Sequence, residues 1–290
     1  MLGASQNLMK KIKKAFISVS DKNHLSIILN ILKKYNIKII SSGGTHKKIN
    51  KLGFKSTDVS EFTNFPEILS GRVKTLHPKI HAGILSSRNK SDNKQMRKLN
   101  FEEIDLVIVN FYPFEKIIKN EKNIKKIIES IDIGGPSLTR AAAKNYESVT
   151  VISAIDQYDE FIKELQKHNG SVSINLRKKF SEEAFIETAY YDAVIANFFS
   201  EKSKNNFPKK KVFYGKKLET LRYGENPHQE ATLYSANLDN KLNKVSGRGL
   251  SYNNYNDLFS AFSISNSLPK NRGTVIVKHN NPFGVSIKTN

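Results

Sequence analysis

Short apolar runs alternate with helical stripes along residues 1–200. Ala15-Phe16-Ile17-Ser18-Val19-Ser20 has the pattern of a strand buried on both faces, and Leu25, Ile28, Leu29 and Leu32 follow at the spacing of one helix face. Lys38 to Ser41 predicts a second short strand, after which Gly43-Gly44-Thr45 turns into another helical stretch. Asp105-Leu106-Val107-Ile108-Val109-Asn110, polar at its ends and apolar within, predicts a central strand, and Val149-Thr150-Val151-Ile152 a further one. This order predicts the α/β class, a parallel sheet with flanking helices. Ligands of such sheets bind beyond the carboxyl ends of the strands. The turns expected there are Ser18 to Lys22, Ser41 to Thr45 and Asn110 to Pro113, all polar or glycine-rich.

Phe180, Ala184, Tyr191, Ile195 and Phe198 predict one long helix between Phe180 and Phe199. Residues 201–211 are polar, lysine-rich and interrupted by Pro208, the composition of a linker. The texture then changes. Leu221 to Gln229 reads as a dense polar loop, and Val275-Ile276-Val277 as a strand entering Lys278 to Gly284. The expected organisation is a domain over 1–200, a linker over 201–211 and the start of a second domain over 212–290.

A chain of 290 residues has room for such cores. It contains no cysteine, which excludes disulfides and thiolate metal sites. Its apolar runs are too short to cross a bilayer, and Met1 to Lys14 reads as a basic tail without the apolar stretch of a secretory signal. No membrane association and a cytoplasmic location are expected. The net charge of +20 invites a nucleic-acid partner. Lysine is spread along the whole chain rather than gathered in a patch, and no nucleic-acid motif accompanies it, so no such partner is expected.

The densest chemistry lies in Gly71-Arg72-Val73-Lys74-Thr75-Leu76-His77-Pro78-Lys79-Ile80-His81-Ala82-Gly83. Five potentially cationic side chains, a hydroxyl and two glycines there suit a loop that grips an oxyanion, although a solvated basic loop has the same composition. Ser42-Gly43-Gly44-Thr45 leaves a strand and opens a helix, where free N–H groups and the helix dipole favour an anion. A plain strand-to-helix turn also favours these residues. Ser20 and Lys22 stand where they can join the same site. Asp132-Ile133-Gly134-Gly135-Pro136 precedes Arg140 to Asn145, and Asp132 is a candidate to orient Lys144 for proton transfer. Tyr112 can stack on a flat ring or simply pack. Lys278-His279 is a candidate base pair of residues, or a structural histidine. No spacing of histidines and acids proposes a metal site.

Ser18 to Lys22, Ser42 to Thr45, Gly71 to Pro78, Asn110 to Phe114, Ile131 to Pro136, Arg140 to Asn145, Leu221 to Gln229 and Lys278 to Gly284 occur together and in this order. From about Ala15 onward the chain resembles the bifunctional purine-biosynthesis family that joins IMP cyclohydrolase to AICAR formyltransferase. The resemblance implies a methylglyoxal synthase-like fold for the first domain and an α/β, cytidine deaminase-like fold for the second. It implies closure of the purine ring of formamidoimidazole-carboxamide ribotide (FAICAR) to inosine 5′-monophosphate (IMP) and water, with neither metal nor cofactor. Ser20, Lys22, Ser42, Gly43, Gly44, Thr45, Arg72, Thr75 and Asn110 are implied to bind the nucleotide. Lys144, held by Asp132, is implied to transfer the proton, with Lys74 stabilising the oxyanion and Tyr112 beside the base.

For the second domain the resemblance implies formyl transfer from 10-formyltetrahydrofolate to AICAR. Arg222 and Tyr223 would bind AICAR, and His279 assisted by Lys278 would act as base. The motif departs from the family at Phe283, where cysteine is usual. The implied assembly is a homodimer. Family chains run further than residue 290, so this one is expected to be a fragment or a shortened gene product, and formyl transfer is implied by the family rather than by this chain alone. A sugar-phosphate lyase of the methylglyoxal synthase kind shares the sheet and phosphate loop but leaves Asp132 to Asn145 unexplained. A regulatory module that binds nucleotides without turnover is the non-enzyme alternative.

Overall fold

The computed structural model describes residues 9–203, 207–236, 245–270 and 272–288. The chain divides into two compact units, Met1–Val212 and Phe213–Asn290. Residues 1–8 of the expected basic tail and 204–206 of the expected linker lie outside the described residues.

The first unit opens with β1 (Met9–Lys11), β2 (Lys14–Val19), α1 (Leu25–Lys34), β3 (Lys38–Ser41), α2 (Gly43–Lys51), β4 (Thr57–Asp58) and α3 (Val59–Thr63). It continues with α4 (Pro78–Leu85), α5 (Lys90–Lys98), β5 (Leu106–Asn110), α6 (Phe114–Asn120), α7 (Ile124–Glu129), α8 (Gly134–Lys144) and β6 (Thr150–Ile152). It closes with α9 (Tyr158–Lys167), β7 (Ser171–Ser173) and α10 (Ile174–Lys202). The main sheet has the order β4-β3-β2-β5-β6, and every pairing in it is parallel. The expected α/β class and parallel sheet are therefore present. The two-residue β4 has no apolar run to announce it, and its pairing with β3 makes it a strand.

Parallel strands covered on both faces must be apolar throughout. Ala15, Phe16 and Ile17 are fully buried, as are Leu106 and Val107. α8 runs between β5 and β6 and packs on both, and α10 covers α8 and β6. Ala141, Ala142 and Ala143 let α8 approach closely. The long helix α10 begins at Ile174, earlier than the stripe from Phe180 predicts, because the Ser173 hydroxyl accepts the Leu176 N–H and caps it there. Arg177 in its first turns is fully buried and donates to the carbonyls of Tyr146, Val172 and Glu147.

In the second unit β8 (Lys216–Thr220) pairs antiparallel with β9 (Thr232–Ser235), and α11 (Tyr252–Ser267) precedes the hairpin of β10 (Gly273–Lys278) and β11 (Asn281–Ile287). The strand read from Val275 runs on to Lys278 and turns into a hairpin. Only His279 and Asn280 turn, at φ 53° and 63°, the left-handed pair that a two-residue hairpin turn requires. The chain then pairs back at once from Asn281, with the register shift at Ile276/Val277 admitting Pro282.

Candidate functional site

The sheet order changes direction between β2 and β5, so their carboxyl ends diverge into a crevice. Asn110 sews that crevice at its base. Its Oδ1 accepts the N–H groups of Ser20 at 2.7 Å and Asp21 at 2.9 Å, and its Nδ2 donates to the Asp21 carbonyl at 3.0 Å. The Ser20 hydroxyl donates to the Phe111 carbonyl at 2.6 Å. Both side chains, expected as nucleotide ligands, are thus bound to the protein's own backbone and shape the crevice. Thr45 is tied to the scaffold in the same way. Its buried hydroxyl accepts from Val19 N at 3.1 Å and donates to Val19 O at 3.0 Å, tying α2 to β2.

The start of α2 is the part that can hold an anion. Ser42 is extended and buried, and Gly43 is left-handed at φ +52°. A Cβ on Gly43 would stand 3.4 Å from Lys74 Nζ, and one on Gly44 would stand 3.9 Å from Lys22 Nζ. Two ammonium groups therefore flank the N-terminus of a nine-residue helix. Lys22 also donates to the Ser20 carbonyl at 3.2 Å, which aims it across the crevice. Ser42, Gly43, Phe65, Glu67 and Lys74 line a hollow there.

Leu69, Ser70 and Gly71 are all left-handed, a conformation that costs a non-glycine residue about 1–2 kcal/mol. This turn sends the next residues in different directions. Lys74 points to the α2 start, with its Nζ 3.9 Å from Glu67. Arg72 instead forks onto Glu129, with its Nε 2.8 Å from one carboxylate oxygen and its terminal nitrogen on the other. Thr75 is buried against the start of α8, its Oγ1 2.5 Å from where a Gly134 Cβ would stand.

Asp132 completes this edge. Its Oδ1 accepts the Gly135 N–H at 2.8 Å, and the backbone N–H of Tyr112 also acts on its carboxylate. Burial pushes the Asp132 carboxyl above its ordinary range, while those two N–H groups and the Lys74 cation oppose the rise. Burial likewise pushes the half-exposed Tyr112 phenol up, helped by the charges of Asp132 and Glu67. A carboxylate, an ammonium and a phenol are thereby grouped beside an anion cradle.

The expected partnership of Asp132 with Lys144 is not made. α8 connects the carboxyl edge of β5 to the amino end of β6, and those strands are parallel, so the helix must run back across the sheet. Lys144 is its last residue and lies at the opposite edge, about 15 Å away at 1.5 Å per residue, with an exposed side chain. The neighbouring Asn145 Nδ2 donates to the carbonyls of Ile84 and Ser86, which fixes that far end. Two residues without a site signal in the sequence do reach the site. Glu67 stands beside Lys74, and the hydroxyl of Tyr191 accepts the Asp132 N–H at 2.8 Å. The helical stripe marked Tyr191 only as a core residue.

In the second unit, Arg222 stacks over the Tyr223 ring at 4.8 Å and donates to its hydroxyl at 3.0 Å. Lys278 ends β10, and His279 sits exposed at the hairpin tip. Among the described residues no cluster of His, Asp and Glu is able to hold a metal ion, and no helix is long and apolar enough to cross a membrane.

A parallel sheet with a helix start and paired lysines at its carboxyl edge defines a domain of the methylglyoxal synthase-like class, and the model of the MGS-like domain matches residues 25–137. The model of the AICARFT/IMPCHase bienzyme matches residues 142–290, and the chain belongs to that family. It is 43% identical over 281 residues to a bifunctional purine biosynthesis protein PurH of Leptospira biflexa, covering 96% of this chain and 55% of the relative. It is 43% identical over 284 residues to the protein of the same name from Persephonella marina, covering 95% and 55%. The chain thus spans about half the length of the curated relatives it matches. The solved structure described as "Crystal structure of ForH" superimposes with a TM-score of 0.61 at 30% identity, over 67% of this chain and 100% of that one.

Proposed function

We propose that the first unit closes the ring of FAICAR to give IMP and water, as an IMP cyclohydrolase in purine biosynthesis. The observation that carries this reading is the convergence of Lys22, the Gly43-Gly44 helix start, Lys74, Thr75, Tyr112 and Asp132 on one sheet edge. The ribotide phosphate sits at the α2 start beside Lys22. The flat imidazole then lies toward Tyr112. The carboxamide nitrogen attacks the formyl carbon, which forms the ring C–N bond and places negative charge on the former carbonyl oxygen. That oxygen takes up one proton from the carboxamide nitrogen, and its C–O bond then breaks as the formamide nitrogen gives up its proton and forms the ring C=N bond, so that the hydroxyl leaves as water. Lys74 stabilises the oxyanion, while Asp132 and Tyr112 carry the protons. This reading assigns the proton transfer to Asp132 and Tyr112 in place of Lys144, the last residue of α8.

Formyl transfer is the second activity proposed for the protein of which this family is built, with 10-formyltetrahydrofolate as co-substrate and AICAR as acceptor. Arg222 and Tyr223 are its proposed AICAR ligands, and His279 with Lys278 its proposed base. A homodimer and a cytoplasmic location accompany the same reading. The sugar-phosphate lyase and the regulatory module do not account for the family match over residues 142–290.

Incubating the purified chain with FAICAR and measuring IMP tests the first activity. Turnover is expected. Tight binding of IMP without turnover would favour a regulatory module. A parallel incubation with AICAR and 10-formyltetrahydrofolate tests the second activity, and sedimentation velocity tests the dimer.

A further inference from the structure

Tyr191 belongs to the 29-residue helix α10, remote in sequence from both loops that it touches. Its ring is buried, with its centroid 5.1 Å from that of Phe111 and 6.3 Å from that of Phe114. Those two residues bracket Tyr112. Its hydroxyl, at the other end of the ring, accepts the Asp132 N–H at 2.8 Å. One side chain therefore grips the Tyr112 loop by packing and the Asp132 loop by a hydrogen bond. Between the loops themselves, the Tyr112 backbone N–H acts on the Asp132 carboxylate.

We infer that Tyr191 is a positioning residue for the proposed ring closure, setting the separation of Asp132 from Tyr112 and from the reacting amide. The inference rests on that reading of the site for its kinetic consequence, but its geometric content stands apart from it. A phenylalanine keeps the ring packing and loses only the acceptor. Without it, the Asp132 N–H has no partner from α10, the loop relaxes toward water, and the carboxylate sheds part of the burial that raises its pKa. The groups facing that carboxylate are Lys74, Tyr112 and Tyr191. Glu67 acts on Tyr112, Asp192 acts on Tyr191, and the Arg72–Glu129 pair lies on the flanking segments.

The test compares Tyr191→Phe with the wild-type chain by two readouts. Titration of the Asp132 carboxyl carbon by 13C NMR needs no turnover. The midpoint is expected to fall in the variant toward the ordinary carboxylate value. With FAICAR, kcat is expected to drop about 10-fold with KM changed by less than about 2-fold, as for a misplaced group rather than a lost binding contact. 3,5-Difluorotyrosine at 191 retains the ring and hydroxyl while weakening the acceptor, and is expected to move both readouts in the same direction by less. An unchanged midpoint with unchanged kcat overturns the inference, as does a lowered melting temperature with the midpoint and kcat intact. If the wild-type chain fails to turn over FAICAR, the proposed function falls, and the NMR midpoint still decides the role of Tyr191.

Discussion

Asp132 and Lys144 stand at opposite edges of the sheet, separated by the whole length of α8. A helix that connects two parallel strands has to return across them, so residues at its two ends cannot share a site at one edge. Lys74→Ala is therefore expected to lower kcat for ring closure by about 10²-fold or more, the scale of removing one donor from an oxyanion site. Lys144→Ala is expected to stay within about 3-fold, the size of an ordinary surface change. Steady-state rates of IMP formation from FAICAR check both. The reverse ranking would restore Lys144 to the chemistry.

Lys22 lies beside Gly44 at the start of α2 and donates to the Ser20 carbonyl. Lys22→Ala is expected to raise KM for FAICAR about 10-fold and to weaken IMP to a similar degree, with kcat nearly unchanged, since one charge-assisted contact is worth about 1.5–3 kcal/mol. Calorimetric titration with IMP gives the affinity separately from turnover.

The Asp132 carboxyl is raised above its ordinary range by burial. If its ionised form pairs with Lys74 in turnover, kcat falls as the pH drops through that raised value. The acid limb should then lie above the ordinary aspartate position and vanish from the residual activity of Asp132→Asn. Stability follows the opposite trend. The folded state holds this proton more tightly than the unfolded state, so the contribution of the group is fully present below the unfolded value and is lost as the pH rises through the folded one. Thermal unfolding across the acid range should show that slope in the wild type and lose it in Asp132→Asn.

A Cβ on Gly135 would stand 2.5 Å from Asp132 Oδ2. Gly135→Ala is thus expected to push the carboxylate off the residue-135 N–H that it accepts. Turnover should fall at least 10-fold by the misplacement argument, while IMP affinity, set at α2, should stay within about 3-fold. Matched losses in both quantities would mean that the start of α8 contacts the nucleotide.

Arg177 is fully buried and donates to Tyr146, Val172 and Glu147 carbonyls, and burial lowers its pKa to about 10. Arg177→Met fills much of the volume but strands those acceptors, each at a cost of about 1–3 kcal/mol. A fall in melting temperature of several degrees is expected, with less than half of it recovered by Arg177→Lys, whose ammonium lacks the planar fork. IMP affinity of the folded variant should be unchanged, because the clamp lies at the far edge from α2.

The hairpin of the second unit shows where local pattern stops. Val275 to Val277 reads as a strand, but how the chain continues after Lys278 depends on two residues accepting left-handed φ and on a bulge that admits Pro282. The pairing of β11 with β10 settles it.

The sequence by itself determined the elements that carry their own burial: the apolar runs of β2, β3, β5 and β6, the stripe of α1 and the class of sheet they form. It also determined the glycine-rich and cationic turns, because an anion cradle needs backbone N–H groups and positive charge that composition makes visible. Tertiary structure alone decided which of those turns meet. It placed Lys22 and Lys74 together, spent Asn110, Ser20 and Thr45 on the scaffold, gave Arg72 to Glu129, sent Lys144 to the opposite edge and brought Tyr191 to Asp132. The physical reason is that a motif records residue types along the chain. A site is set instead by which ends of strands and helices the topology delivers to one edge, and by which polar atoms the backbone has not already claimed.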